Sequence, residues 1–149
     1  MLTTRQAAEG NIAFLTEVFL RAMRIHITAA RGFWDEPKER AQFREQLRLD
    51  RTRIIERNGV DVGFIMTGEW EDYIELHTLC IAPEHQRQGI GTEITRQVIG
   101  ESRASRRGVV LSVLKANTAA RSLYERLGFA VIEESSHHYR MRLVFLPGR

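Results

Sequence analysis

The chain has 149 residues, of which 43% are hydrophobic and 28% charged, and this size and composition predict one globular domain over residues 1–149. The formal net charge is +3, but the arginines are interleaved with acids and form no basic run, so no nucleic-acid partner is expected. No apolar run approaches the ~20 residues of a membrane span and the N-terminus has no signal-peptide stretch, which predicts no membrane association and a cytoplasmic location.

The first third of the chain predicts a strand followed by two helices. Residues 2–7 have the composition of a short strand, and helical spacing of apolar residues predicts a helix over residues 11–28. A second helix is predicted to end near Leu47, because Asp35 is a suitable N-cap and Pro37 is tolerated in a first turn.

The middle of the chain predicts antiparallel strands. Residues 53–57 and 60–67 flank Asn58-Gly59, a dipeptide typical of tight hairpin turns because both residues tolerate positive φ. A further turn over residues 69–72 leads into an apolar strand, Tyr73–Ile81.

The last third alternates helix and strand. A helix is predicted over residues 91–105, a strand over 109–114, and a helix over 118–127 that ends at Gly128, as helix C-termini commonly do. Residues 129–133 and 139–145 predict a final antiparallel pair. The complete order predicts a layered α/β domain with helical crossovers after residues 81 and 114.

A glycine-containing segment, Gln86-Arg87-Gln88-Gly89-Ile90-Gly91-Thr92, joins the apolar strand to the helix after it. The glycines allow a tight turn and a close approach of the backbone to a ligand. The first N–H groups of a helix have no intrahelical partners and attract anions. The segment therefore predicts a phosphate or pyrophosphate site. It is not a P-loop, because no Gly-Lys-Ser/Thr closes it, and Ile94 breaks the dinucleotide pattern.

Two segments resemble the GNAT acyltransferase superfamily. Residues 86–91 are similar to its acetyl-coenzyme A loop, Gln/Arg-x-x-Gly-x-Gly/Ala. Residues 117–129 are similar to its Asn-x-x-Ala-x-x-x-Tyr-x-x-x-Gly-Phe segment. The two segments occur in the superfamily's order, separated by one helix and one strand, and the resemblance is good over about residues 54–134.

The resemblance implies a GNAT fold, which is a mixed, mostly antiparallel sheet of about six or seven strands flanked by about four helices and splayed at the coenzyme-binding strands. It implies that acetyl-coenzyme A is the cosubstrate, without a metal, and that strand backbone before the loop pairs with the pantetheine arm. The coenzyme-binding residues that it implies are Leu79, Cys80, Ile81, Gln86, Arg87, Gln88, Gly89, Ile90, Gly91, Thr92, Asn117, Ala120 and Tyr124.

Acyl transfer to an amine requires a proton acceptor, because an amine of pKa about 10 is mostly protonated at neutral pH. Glu75 is the candidate base, since an acid at this distance before the loop matches the general-base site of some superfamily members. Strand alternation predicts that Glu75, His77, Leu79 and Ile81 share one face, which makes His77 a rival base or proton relay. A solvated charge at Glu75 and a structural role for His77 are the alternatives.

The thiolate that leaves in acyl transfer needs a proton donor. Tyr124 matches the superfamily tyrosine that commonly serves as general acid, and its alternative is a core aromatic on a helical stripe with Ala120 and Leu127. Asn117 would bond the pantetheine or hold the strand–helix turn. A backbone N–H near Leu79 would stabilise the charge that develops on the carbonyl oxygen.

The acceptor site is the least defined part of the sequence. Phe33 and Trp34 lie beside Asp35 and Glu36, and aromatic faces next to carboxylates suit a cation. Phe33, Trp34 and Glu75 are therefore the candidate substrate residues. Helix capping by Asp35 and packing by Trp34 are the favoured alternative for the same residues.

Cysteine and histidine give no sign of metal or thiol chemistry. Cys80 is the sole cysteine and lies in an apolar strand, so it is predicted to be a buried hydrophobe rather than a nucleophile. His137 and His138 are adjacent on a strand and would point to opposite faces, so no metal site is predicted.

Two classes of function follow. The first is an acetyl-coenzyme A-dependent N-acetyltransferase acting on a primary amine of a small molecule or a peptide. The second is a GNAT-like domain that binds acyl-coenzyme A but has lost transfer, and acts as a sensor or interaction module. Retention of Tyr124 favours the enzyme. The expected partners are acetyl-coenzyme A and an amine acceptor, and a homodimer is left open.

Overall fold

A computed structural model describes residues 1–143, which form one seven-stranded sheet with four α-helices. The strands are β1 Leu2–Gln6, β2 Thr52–Arg57, β3 Val60–Glu69, β4 Tyr73–Ile81, β5 Gly108–Leu114, β6 Ala130–Glu134 and β7 His138–Leu143. The helices are α1 Ile12–Arg31, α2 Glu36–Gln46, α3 Ile90–Ala104 and α4 Thr118–Arg126. Within these residues, no helix is long and apolar enough to cross a membrane.

The strand order is β1-β2-β3-β4-β5-β7-β6, and every neighbouring pair is antiparallel except β4 and β5. The parallel pair is the one joined by the α3 crossover, since parallel neighbours cannot be joined by a tight turn. The mixed, mostly antiparallel sheet with four helices that the sequence predicted is confirmed.

Several turns form where the local residues predicted them. Asn58 and Gly59 have φ of 52° and 81°, as a two-residue hairpin turn requires. Helix α4 is followed by Gly128 at φ 102°, which terminates it. Helix α1 ends three residues later than predicted, at Arg31, because Gly32 supplies the left-handed C-cap. Residues 144 and 145 of the predicted last strand lie outside the described residues.

A β-bulge at His77 changes the face that the second half of β4 presents. Thr67 pairs with Leu76 and Met66 pairs with Thr78, so β4 has one residue more than β3 at this point. The predicted alternation that put residues 75, 77, 79 and 81 on one face is therefore wrong, because the extra residue reverses the alternation beyond Leu76. A bulge is set by pairing with β3, which local spacing does not reveal.

The bulge keeps the apolar side chains of both halves of β4 on one core. Ile74 and Leu76 lie in the core with α3 and α4, and Leu79 and Ile81 pack against the same core. On the other face, Cys80 lies in the core with α1 and α2. Without the extra residue, alternation would turn Leu79 and Ile81 away from Ile74 and Leu76.

The strands β4 and β5 separate half-way along their length. Their pairing runs from Tyr73↔Gly108 to Leu76↔Leu111 and ends there, although β4 continues to Ile81 and β5 to Leu114. On its other edge β4 stays paired with β3 as far as Ile81. The predicted splay at these two strands is present.

Candidate active site

A cavity of about 520 Å³ occupies the gap between the separated strands. We call it the central cavity. Its walls come from the β4 and β5 residues beyond the last pair, from α1 and α2, from α4, and from the β6–β7 turn. The predicted residues that line it are Glu75, His77, Leu79, Asn117, Ala120 and Tyr124.

The glycine turn lies at the N-terminus of α3 and is exposed. Arg87 and Gly89 both have positive φ, 63° and 77°. Gly89 is the N-cap of α3 and no side chain caps the helix, so the N–H groups of its first turn have no side-chain partner. Successive amides turned inward at a helix N-terminus form an anion-binding concavity.

Two glutamines hold the turn in position. The Gln86 side-chain amide donates to the Ile81 carbonyl oxygen at 2.9 Å, which ties the turn to the end of β4. The Gln88 side-chain oxygen accepts from the Arg57 guanidinium at 2.7 Å, which ties it to β2. Both side chains were predicted to bind coenzyme, and in this structure both hold the turn against the sheet.

Tyr124 lies on α4 at the inner end of the central cavity and is only 8% exposed. Its ring packs edge-on against Phe129 at 5.7 Å between centroids. Burial raises the pKa of the phenol to about 12, so it stays protonated at neutral pH. Among residues 1–143 its hydroxyl has no hydrogen-bond partner, which leaves the proton free for a ligand.

Asn117 and Gly91 fix the position of α4. The Asn117 side chain accepts from the Ala120 N–H at 3.2 Å and caps the helix. Of the two roles predicted for Asn117, this contact corresponds to holding the strand–helix turn. A Cβ added at Gly91 would lie 3.7 Å from Leu123, the residue before Tyr124. The helix that carries the phenol therefore packs beside the glycine turn.

Cys80 is buried, and burial raises the pKa of its thiol to about 12. The thiol is therefore not ionised at neutral pH, and the prediction that Cys80 is a buried hydrophobe is confirmed.

Glu75 faces the central cavity and is partnered by a residue that the sequence analysis missed. An Arg140 guanidinium nitrogen of β7 lies 3.6 Å from its carboxylate, with the Glu75 side chain 27% exposed. This distance is that of an ion pair and lies beyond a hydrogen bond, so the carboxylate oxygens can still accept from a ligand. Alternation of His138, Arg140 and Arg142 along β7 could have placed Arg140 on this face.

His77 lies in the bulge and is exposed, and its Nδ1 is 2.8 Å from the Thr78 hydroxyl. It lines the central cavity beside Glu75. The histidine and the carboxylate are thus brought together, and either group can reach the cavity.

A second ion pair closes the far wall of the central cavity. Glu39 of α2 is buried, 5% exposed, and accepts from the Arg31 guanidinium at the end of α1 at 3.0 Å. His138 on β7 faces this pair, and burial, followed by His137 and Arg31, lowers its pKa. Burial therefore favours its neutral form. No local spacing joins two helices across a loop, so spacing along the chain carries no signal of this pair.

Phe33 and Trp34 do not line the central cavity. Phe33 is exposed, and Trp34 lies beneath the Arg24 guanidinium, 5.7 Å from its ring centroid. Ala30 and Arg31, just before them in the chain, line the cavity instead. The extension of α1 to Arg31 explains the difference, because it carries the loop beyond the site. Among the described residues, no three His, Cys, Asp or Glu side chains are grouped to hold a metal ion.

A sequence model described as the Acetyltransferase (GNAT) family matches residues 19–129, which include the glycine turn, both separated strands and Tyr124. The chain belongs to the GNAT acetyltransferase family. The resemblance inferred from two short segments is thus confirmed over most of the chain.

Named relatives of this GNAT protein acylate different acceptors. It is 27% identical over 142 residues to the L-methionine sulfoximine/L-methionine sulfone acetyltransferase of Salmonella typhimurium, an alignment that covers 87% of this chain and 81% of the relative. It is 36% identical over 78 residues to the ribosomal protein bS18-alanine N-acetyltransferase of Escherichia coli, which covers 50% of this chain and 51% of the relative.

Solved structures share the fold of this GNAT protein at low identity. The PaiA N-acetyltransferase of Thermoplasma acidophilum, solved in complex with coenzyme A, superposes with a TM-score of 0.76 at 18% identity, covering 97% of this chain and 99% of that one. An acetyltransferase of Salmonella typhimurium, solved with acetyl-coenzyme A, gives 0.65 at 23% identity over 96% and 93% of the two chains.

Proposed function

We propose that the protein is an acetyl-coenzyme A-dependent N-acetyltransferase that transfers an acetyl group to a primary amine of a small molecule or a peptide. The observation that carries the proposal is the separation of β4 from β5 between an uncapped helix N-terminus and a buried tyrosine. The two relatives found by sequence support the proposal, because both are named as acetyltransferases. One name gives amino-acid derivatives as the acceptors, and the other gives an alanine of a ribosomal protein.

The features of the gap fit a long ligand with a diphosphate at one end and a thioester at the other. The amides of Ile90, Gly91 and Thr92 would hold the diphosphate. The edge of β4 beyond Leu76 has no β5 partner, so its backbone groups are available to an amide-containing arm. When bound, acetyl-coenzyme A supplies an acetyl group activated as a thioester.

Glu75 takes the proton that the acceptor must lose. A primary amine enters the central cavity mostly as an ammonium, and the Glu75 carboxylate accepts one of its protons directly or through water. The free amine then forms the new C–N bond as the C–S bond breaks, and the second proton that the nitrogen loses in becoming an amide passes to solvent. Arg140 holds the carboxylate towards the cavity without occupying its oxygens within hydrogen-bond distance.

Tyr124 supplies the proton for the departing sulfur. Its phenol is protonated at neutral pH, and burial, which raises its pKa to about 12, extends that state to higher pH. Its hydroxyl has no hydrogen-bond partner among residues 1–143, and the residue lines the cavity. A backbone N–H near Leu79 hydrogen-bonds the carbonyl oxygen while negative charge develops on it.

The proposal is tested by thiol release from acetyl-coenzyme A across a panel of amines, with binding measured separately. We expect turnover on at least one amine. Binding without turnover on any member would contradict the proposal and favour a domain that binds acyl-coenzyme A without transfer.

A Glu75→Gln variant tests the base. It removes the charge with little change of shape, so we expect kcat to fall by about 10²-fold or more while coenzyme affinity is kept. Thiol release at saturating acetyl-coenzyme A measures the loss, and a titration with acetyl-coenzyme A measures the affinity. An unchanged kcat would assign the proton transfer to His77 or to solvent.

A further inference from the structure

We infer that the acceptor of this enzyme is an amine carried by an extended polypeptide segment, rather than a free amino acid. This inference rests on the proposed function and names the class of its second substrate. Three features carry it: the length of the open groove through the site, the pairing of the arginines around the reactive point, and an exposed aromatic ring at one end.

The central cavity continues into a second cavity on each side, all on the sheet face that α1 and α2 cover only in part. Towards the β3–β4 hairpin, a cavity of about 280 Å³ shares Glu75 and His77 with it. Towards the sheet edge, a cavity of about 350 Å³ shares Ser112 and His138 with it. We call the three together the acceptor groove. Glu75 therefore lies along a channel and not at the end of a closed pocket.

The acceptor groove is long enough for several residues of extended chain. It crosses from β3, at Gly68, to β6, at Glu133, which is four strand intervals in the order of the sheet. At about 4.8 Å per interval this is about 19 Å, the length of about six residues at 3.3 Å each. A free amino acid would fill only a small part of it.

The described part of the central cavity offers no unpaired arginine or lysine to a free α-carboxylate. Of the described residues that line it, Arg31 is the one arginine or lysine, and the buried Glu39 already neutralises it. Burial lowers the pKa of His138, opposite, and so disfavours its charged form. Arg140, in the adjoining cavity, is paired with Glu75. A desolvated carboxylate without a charged partner is costly, whereas a peptide carries an amide at that position.

Trp70 provides a contact surface at the hairpin end of the acceptor groove. It is 56% exposed, and its ring stacks on Tyr73 at 5.9 Å between centroids, so it is held in place without a partner chain. A side chain of a bound peptide can pack on such a ring at a small loss of conformational freedom.

The experiment compares kcat/KM at saturating acetyl-coenzyme A for alanine, alanine amide, and alanine-initiated peptides of two, three and six residues. An N-terminally blocked hexapeptide with a central lysine is added, because the groove is open on both sides of Glu75. We expect the amide to exceed the free amino acid, and the better hexapeptide to exceed the free amino acid by at least about tenfold. A free amino acid that equals or exceeds every peptide would overturn the inference and leave the proposed acetyl transfer intact.

A substitution at Trp70 locates the peptide. Trp70→Ala is expected to lower kcat/KM for the hexapeptide about three- to tenfold through KM, and Trp70→Phe to restore most of it. Ile25→Ala is the matched control, because Ile25 is an exposed apolar residue of α1 that does not line the groove. Equal losses of kcat/KM for the hexapeptide in Trp70→Ala and Ile25→Ala would contradict binding of the peptide in the acceptor groove. If no amine, peptide or free, is acetylated, the proposed function itself fails.

Discussion

Tyr124 combines burial with a hydroxyl that reaches the central cavity. We expect Tyr124→Phe to lower kcat by about 10²-fold with coenzyme affinity nearly unchanged, because the substitution removes one oxygen and its proton. Burial raises the pKa of the phenol, so activity should not be lost through its ionisation between about pH 7 and about pH 10. Steady-state kinetics across this range measure both effects. An unchanged kcat in the variant would assign the proton donor to water.

Gly89 tests the glycine turn, and Gly59 gives a matched control. Both have φ near 80° with open space where a Cβ would stand, so a side chain at either position strains the backbone without a clash. We expect Gly89→Val to weaken coenzyme binding at least about tenfold, since it distorts the amides proposed to hold the diphosphate. Gly59→Val should lose similar stability with affinity unchanged. Calorimetric titration of both variants with acetyl-coenzyme A distinguishes a loss of binding at the glycine turn from the effect of backbone strain alone.

At the scale of elements, the contact between β3 and β4 sets the position of the strand proposed to bind the coenzyme. Gly63 of β3 has no room for a side chain, because an added Cβ would lie 2.2 Å from the Cys80 carbonyl oxygen. We expect Gly63→Ala to reduce the free energy of unfolding by about 1–3 kcal/mol.

Gly100 provides the opposite case within α3. An added Cβ there meets nothing within 4 Å, and alanine favours a helix interior over glycine, so Gly100→Ala should stabilise the protein by about 0.5–1 kcal/mol. Urea unfolding of the two variants measures both changes. Equal changes in the free energy of unfolding would show that the close approach of β3 to β4 does not exclude a side chain at Gly63.

Elements governed by nearby residues could be predicted from the sequence. The hairpin at Asn58-Gly59 and the end of α4 at Gly128 depend on backbone angles that those residues adopt easily, and both form as predicted. The bulge at His77 depends on how β4 pairs with β3, so no sequence pattern within β4 predicted it. The length of α1 was underestimated because apolar spacing weakens before Gly32 ends the helix.

The same distinction applies to the candidate site. Tyr124 and Gly89 lie within two continuous segments of the chain. Tyr124 lines the central cavity, and Gly89 is the N-cap of α3. The partners of the charged groups come from distant segments, Arg140 for Glu75 and Glu39 for Arg31. Because ion pairing is a property of the folded chain, spacing along the sequence does not reveal these pairs.

At the scale of the molecule, coenzyme binding should stabilise the whole domain, because the glycine turn, β4 and α4 are attached to one sheet. A ligand present at a hundredfold excess over its Kd raises the free energy of unfolding by about 2.7 kcal/mol. For a domain of this size that corresponds to a rise in Tm of about 5–10 °C. Thermal unfolding with acetyl-coenzyme A, with adenosine as the control, measures it. No rise at saturating concentration would contradict coenzyme binding.

The bulge at His77 has a consequence for which changes in chain length this fold tolerates. The imidazole is exposed, so exchanging it for another polar group leaves both cores intact. Deleting the residue is tolerated for a related reason, because Leu76 and Thr78 would then stand consecutively opposite Thr67 and Met66 and the ladder would run without a bulge. Leu79 and Ile81 would stay on the side of α3, and Cys80 on the side of α1 and α2. The loss of the codon for His77 would thus leave both layers in register.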